Sequence, residues 1–82
     1  MIVTIKYCGQ WGYKSQAQVV GDEILETYPD AKVMLEVGSG GQFDIIYETR
    51  RYILFSKDEK NRFPETGEIV KLIGRDYNGY TS

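Results

Sequence analysis

The side chain with the greatest chemical potential in this 82-residue chain is Cys8, its single cysteine. A cysteine thiolate is a nucleophile, and it exchanges with disulfides through a mixed-disulfide intermediate. Because the chain has no second cysteine, it forms no internal disulfide, and a mixed disulfide at Cys8 needs a second molecule to release it. The sequence therefore predicts either an accessible thiol that exchanges with a partner or a buried thiol that serves as a small apolar residue.

The absence of other residue types excludes several kinds of site. The chain has no histidine, so it has neither a Cys/His metal site nor a Ser–His or Cys–His pair for hydrolysis. Its net charge of −2, with charges of both signs interspersed, argues against a nucleic-acid partner. No apolar run approaches the roughly 18–20 residues that a membrane span needs. We expect a cytoplasmic protein in a reducing compartment, with no metal or cofactor of its own.

Hydrophobic periodicity predicts the elements that position Cys8. Residues 2–7 are β-branched and aromatic, which favours a strand that ends at Cys8. After the glycine-containing loop 8–12, apolar side chains recur at helical spacing, at Tyr13, Ala17, Val20, Ile24 and Tyr28. Residues 32–37 form a second strand. The first part of the chain is therefore a β-loop-α-β unit, and such units are almost always parallel and right-handed.

The second half of the chain adds a hairpin and a helix. The predicted elements are strands over 43–47 and 52–55, a turn over 48–51, a solvated loop over 57–62, and a helix that opens at 63–65 and stops at Gly74. We therefore divide the chain into a domain over 1–74 and a C-terminal tail over 75–82. Tyr77 and Tyr80 in the tail show no periodic pattern.

The element order β-α-β-β-β-α predicts an α/β (α+β) fold with one four-stranded mixed sheet in the order 2-1-3-4. An antiparallel third strand beside the first must begin where the first strand ends. The loop that contains Ser39, Gly40 and Gly41 should therefore lie next to Cys8, at the carboxyl ends of parallel strands, where ligands of open α/β sheets bind. The loop is expected to be a tight turn with positive φ at its glycines. Binding of an anion or ligand by its amide groups is the alternative.

Four segments in order resemble motifs of the selenoprotein W-like family. Cys8, Gly9, Gln10 and Trp11, followed by Gly12-Tyr13-Lys14, are similar to that family's redox motif. The other matching segments are Gly38-Ser39-Gly40-Gly41-Gln42-Phe43, Phe55-Ser56-Lys57 and Arg62-Phe63-Pro64. Together they span about residues 2–73. The resemblance implies a thioredoxin-like fold and thiol or selenol redox chemistry. It also implies glutathione or a protein thiol client as partner, and possible contact with a phosphopeptide-binding adaptor protein.

The resemblance favours a surface-accessible, functional thiol, with Cys8 as the catalytic residue, and it makes the turn with Ser39, Gly40 and Gly41 a possible ligand site. Lys14 is the nearest cation along the loop, and a cation near a thiol lowers its pKa. Lys6 lies two residues before Cys8 on the first strand, and therefore on the same face of the sheet. Only the outer reach of the helix dipole is expected to touch Cys8, which precedes the helical pattern by several residues.

Trp11 stands where the family has a second cysteine or a selenocysteine. It has no sulfur, so it cannot resolve a mixed disulfide. Three interpretations remain: a packing residue, an apolar platform for a ligand, or a consequence of a misread selenocysteine codon, which codon 11 of the source gene would settle. The function classes are accordingly a one-cysteine redox protein, a non-catalytic binding module on the same fold, or an inactive form of a selenol protein. The sequence does not indicate an oligomeric state.

Overall fold

The computed structural model describes residues 1–9 and 12–81, with side chains described as far as Arg75. Gln10 and Trp11 of the proposed redox motif therefore lie outside the described residues, as do the side chains of Tyr77 and Tyr80. The elements along the chain are β1 (Ile2–Cys8), α1 (Tyr13–Thr27), β2 (Lys32–Gly38), β3 (Phe43–Tyr47), β4 (Tyr52–Ser56), α2 (Lys57–Lys60) and α3 (Glu68–Thr81). No helix in these ranges combines the length and the apolar character needed to cross a membrane.

The four strands form one mixed sheet in the order β2-β1-β3-β4, which confirms the predicted order. β1 is parallel to β2, with Cys8 opposite Gly38, and antiparallel to β3, with Tyr7 opposite Phe43. β3 and β4 form an antiparallel hairpin around the predicted turn at 48–51, and a register shift interrupts their pairing between Ile45 and Ile46.

The hydrophobic core lies on one face of the sheet, where α1 and α3 pack against it. Because strand side chains alternate between faces, Val3, Ile5 and Tyr7 of β1 all point into this core. The helices and the remaining strands contribute Ala17, Val20, Ile24, Ile69, Ile73, Phe43, Ile45, Tyr47 and Phe55. The helical face predicted for α1 is thus confirmed. Tyr13 and Tyr28, at its two ends, are half-buried against the core.

Residues 57–60 form the short helix α2, so the prediction of a solvated loop over 57–62 was wrong in this part. Asp58 and Glu59 lie in the first turn of α2, where negative side chains interact favourably with the helix dipole. The helix ends because Asn61 adopts a left-handed conformation, with φ of 58°, and its amide returns to the carbonyl of Lys57 at 2.7 Å.

The last helix begins later and ends later than the sequence suggested. Gly67 has a φ of 79°, which is incompatible with α-helix, so α3 starts at Glu68 and not at Phe63-Pro64-Glu65. Gly74 does not stop the helix, because it is not among the glycines with positive φ and the backbone stays helical to Thr81. A Cβ at position 74 would lie 3.3 Å from the Tyr28 hydroxyl oxygen, so this glycine accommodates close packing of Tyr28 against α3.

Candidate functional site

A tight turn crosses the end of β1 and joins β2 to β3. Gln42 N–H donates to the carbonyl of Ser39 at 3.1 Å, and Gly40 and Gly41 between them have φ of 63° and 75°. Positive φ at both central positions is the signature of a type I′ turn, which glycine adopts without steric cost. The expectation of a tight glycine turn is confirmed.

The turn is fixed directly to the strand that carries the thiol. The backbone N–H of Cys8 donates to the carbonyl of Gln42 at 2.7 Å, which continues the β1–β3 ladder one step beyond Tyr7 and Phe43. The predicted proximity of the glycine loop to Cys8 is therefore confirmed, and it follows from the strand order alone.

An open depression of about 630 Å³ lies beyond the carboxyl ends of β1 and β2. It is lined by Cys8, Gly9, Val37, Gly38, Ser39, Gly40 and Gly41. Most of the residues that the sequence singled out are thus brought to one place. Lys14 is the exception among the described ones, because it lies exposed in the first turn of α1 and does not contribute to the lining.

Cys8 itself is only 6% exposed, so the expectation of a surface-accessible thiol was wrong. Strand alternation places its side chain on the sheet face opposite Tyr7, the face that it shares with Thr4 and Lys6. β2 and β3 flank Cys8 on either side. The turn over residues 39–42 crosses the end of β1 next to Cys8. Cys8 also contributes to the lining of the depression.

Gln42 is not among the predicted site residues, yet its side chain organises this end of the sheet. Its Nε2 donates to Asp44 Oδ2 at 2.8 Å. A Cβ at Gly38 would overlap Gln42 Oε1, so the amide occupies the space that the missing side chain of Gly38 leaves. Gly38 does not have positive φ, in contrast to Gly40 and Gly41, and this glycine serves close packing instead of turn geometry.

An aromatic cluster lies under the turn and brings together residues from all four of the motif segments. The rings of Tyr13 and Phe43 each meet the ring of Phe63 edge to face, with centroids 5.0 and 5.1 Å apart. Lys57 Nζ lies 5.6 Å from the ring centroids of both Tyr13 and Phe63. The Tyr13 hydroxyl oxygen reaches to 3.7 Å from the position of a Cβ at Gly41. The cluster therefore packs against the turn through Tyr13.

The described residues contain no group of three or more Cys, His, Asp or Glu side chains placed to hold a metal ion. The groups that the lining of the depression offers for chemistry are the Cys8 thiol, the backbone of the glycine turn and the Ser39 hydroxyl.

Comparison with known proteins gives a consistent family result. Residues 2–75 match the model of the Rdx family. Migration and invasion enhancer 1 from Bos taurus and from Mus musculus are each 27% identical to the chain over 77 residues. These matches cover 94% of this chain and 65% of each relative, so the chain spans about two thirds of the length of the curated relatives it matches.

Solved structures show the same architecture. A crystal structure of a protein from Bordetella parapertussis superposes with a TM-score of 0.81 at 29% identity, covering 93% of this chain and 95% of the other. The selenoprotein W-related protein from Vibrio cholerae superposes with a TM-score of 0.78 at 24% identity, covering 93% and 94%. The thioredoxin-like fold implied by the four sequence motifs is confirmed.

Proposed function

Because the chain belongs to the Rdx family, which at the family level makes it a redox-type protein, we propose that Cys8 is the reacting thiol of a glutathione-linked redox protein. The observation that supports this most strongly is the position of Cys8. It lines a depression at the carboxyl ends of two parallel strands, beneath an exposed glycine turn. This is the place where open α/β sheets bind their ligands.

The reaction has two exchange steps. The Cys8 thiolate attacks one sulfur of oxidised glutathione, so that a bond from Cys8 Sγ to that sulfur forms, the glutathione disulfide breaks, and one glutathione thiolate leaves. The thiolate of a protein client then attacks the glutathione sulfur of the mixed disulfide, which breaks its bond to Cys8 Sγ, forms a client–glutathione disulfide and regenerates the Cys8 thiolate. The net result is transfer of the disulfide from glutathione to the client, and the glutathione thiolate that left in the first step takes up the proton that the client thiol released.

The depression has features that suit a small peptide carrying carboxylates. Its volume of about 630 Å³ falls within the usual range of roughly 300–1,000 Å³ for small-molecule sites. Gly40 is exposed and Gly41 half-buried at its edge, and backbone amides in such a turn can bind a carboxylate. The Ser39 hydroxyl offers a further hydrogen bond, and Lys14, which is exposed in the first turn of α1 but outside the lining, is a candidate positive charge.

Intact-mass measurement after incubation with oxidised glutathione tests the proposal. We expect the native protein to gain one glutathionyl group, and the Cys8→Ser variant to gain none. Protein unfolded in urea serves as the control for a thiol without its binding site. If native Cys8 stays unmodified while the unfolded protein reacts, the redox proposal is wrong.

The burial of Cys8 supports a second candidate, a non-catalytic binding module. A thiol that is 6% exposed packs as a small apolar residue, and the exposed loops of such a module would contact a protein partner. We expect a purified phosphopeptide-binding adaptor protein to be such a partner. Under this candidate, Cys8→Ser binds the adaptor as tightly as the wild type, and native Cys8 is inert to oxidised glutathione. If the wild type binds the adaptor and Cys8→Ser does not, the binding-module candidate is contradicted.

A further inference from the structure

The two edges of the sheet differ in how well they are protected. β4 is short, its pairing with β3 is interrupted by a register shift, and α2 packs against its end. β2 is seven residues long and pairs in unbroken register with β1. Regular edge strands without a bulge, a proline or a covering element tend to pair with another strand. Among the described residues, the edge at β2 has none of these protections.

Large apolar side chains are exposed on both faces of β2. Met34 is 49% exposed on the open face of the sheet, and Val37 is 70% exposed on the opposite face, next to Leu35. Leu25 of α1 extends this second group, because it lies one turn after Gly21, which packs against Val33. The edge therefore carries apolar surface in addition to its backbone groups.

The backbone hydrogen-bonding groups that point away from β1 belong to alternate residues. Lys32 N–H donates to the carbonyl of Met1 at 2.9 Å, so the backbone of Lys32 faces β1. The direction alternates along a strand, and consequently Val33, Leu35 and Val37 direct their N–H and C=O groups outward. Any strand that joins this edge must pair with these three residues.

The sequence of β2 is complementary to itself when it runs antiparallel to a second copy about a two-fold axis at Met34. Val33 then lies opposite the partner's Leu35, so residues with outward backbone groups face each other. In the same register, Lys32 lies opposite the partner's Glu36, twice per dimer. Shifting the two-fold axis to Leu35 keeps the backbone pairing but places Lys32 opposite a glycine and Glu36 opposite a methionine.

Charges across the sheet favour the same register. On the open face, Lys6 of β1 lies between Glu36 of β2 and Asp44 of β3. In the dimer the partner's Lys32 lies beyond Glu36. The row then runs Asp44, Lys6, Glu36 and the partner's Lys32, and its charges alternate in sign. Opposite charges that lie directly across a strand pair stabilise it, and like charges destabilise it.

We propose that two copies of this chain associate through antiparallel pairing of β2 about Met34, which joins two four-stranded sheets into one of eight strands. The charge pattern identifies the partner as a second copy, since β2 supplies both members of each charge pair. The two Cys8 depressions lie at opposite ends of the paired strands in this dimer. The association needs no reaction at Cys8, so failure of the thiol proposal would leave it standing, but Val37 both pairs across the dimer and lines the depression.

Sedimentation velocity in reducing buffer, over a series of concentrations, tests the proposal. We expect a reversible monomer–dimer equilibrium for the wild type. Lys32→Glu and Glu36→Lys should each weaken the dimer about tenfold or more, because both place like charges opposite each other. An equimolar mixture of the two variants should restore dimers, since every pair between unlike chains is then of opposite charge. The double variant, with both charges exchanged, should also dimerise.

Matched controls separate this register from a general effect of net charge. Lys60→Glu and Glu59→Lys change the charge by the same amounts on the exposed helix α2, and they should leave the dimer unchanged. Amide hydrogen exchange adds a second readout, because protection of Val33, Leu35 and Val37 should rise with protein concentration, while that of Met34 and Glu36 should not. A chain that stays monomeric up to about 1 mM, or a dimer that is indifferent to Lys32→Glu, overturns the proposal.

Discussion

The glycines around Cys8 have separate physical roles, which substitution can distinguish. Gly40 has open space around it and a positive φ, so alanine there costs only backbone strain, of about 1–2 kcal/mol. Gly38 has no such φ, but its missing side chain leaves room for Gln42. A side chain at position 38 must displace the Gln42 amide from the end of the sheet, beside the buried thiol.

We predict that Gly38→Ala increases the rate at which a chromogenic disulfide reagent labels Cys8. The Gln42 amide reaches from the residue before β3 to Gly38 of β2, on the far side of β1, so its displacement should open the space beside Cys8. Gly67→Ala controls for a general loss of stability, because Gly67 has a positive φ in open space and lies outside the depression. It should lower stability without changing the labelling rate. Equal labelling rates for Gly38→Ala and the wild type would show that Gln42 does not limit access.

The lining of the depression followed from the sequence, but the exposure of the thiol did not. Strand order alone places the end of β1 beside the turn before β3, so Cys8 and Gly40 had to be neighbours. The burial of Cys8 depends on how side chains such as Gln42 fill the space above it, and no local pattern encodes that. The position of Lys57 over Tyr13 and Phe63 was equally hidden, because it joins three segments that are distant in sequence.

Among the elements, the start of α3 depends on one carboxylate. Both oxygens of Glu68 accept from the Arg62 guanidinium, at 2.7 and 2.9 Å, and Oε1 also accepts from the backbone N–H of Glu65 at 2.9 Å. The Arg62 hydrogen bonds are the main cause that lowers the pKa of Glu68 to about 2. The carboxylate therefore holds both Arg62 and the Glu65 amide of the segment that precedes α3.

We predict that this carboxylate makes part of the stability dependent on pH. Because its pKa is lowered on folding, the contribution is fully present above about pH 4.5 and is lost as the pH falls from there to about 2. Arg62 is exposed and Glu68 is half-buried at the surface, so solvent screens the pair and about 0.2–1 kcal/mol is expected. Urea midpoints measured across this range should fall less steeply for Glu68→Gln than for the wild type. Parallel profiles would contradict the assignment.

Strands were easier to predict than helix ends in this chain. The strands around the core follow β-branched and aromatic runs, and their observed bounds differ from the predicted ones by one residue at most. The end of α2 depends on the left-handed conformation of Asn61, and the start of α3 depends on that of Gly67. Sequence alone does not reveal either conformation. Glycine is the residue type typical of a helix stop, which made Gly74 look like the end of α3. Its close packing against Tyr28 explains instead why a glycine occupies this position.

For the molecule as a whole, stability rests on a single layer of side chains between the sheet and two helices. Ile69 of α3 is completely buried in this layer, whereas Val19 of α1 is 54% exposed. We predict that Ile69→Ala lowers the free energy of unfolding by about 2–5 kcal/mol, and that Val19→Ala changes it by less than about 0.5 kcal/mol. Denaturant titration compares the two. Similar losses would mean that α3 does not hold the core together.

The central position of β1 also sets the order in which the protein can fold during synthesis. Ile2 pairs with Lys32, and Val3 pairs with Tyr47, whereas Tyr47 pairs with Tyr52 in a local hairpin. At a translation rate of about 5–20 residues per second, the β1 segment leaves the ribosome seconds before β3 exists. During that interval the apolar strand Ile2–Cys8 lacks β3 on one side, and until β2 has been synthesised it lacks a neighbour on the other side as well. Chaperone capture of the nascent chain should therefore be strongest before β3 emerges and should fall once it has.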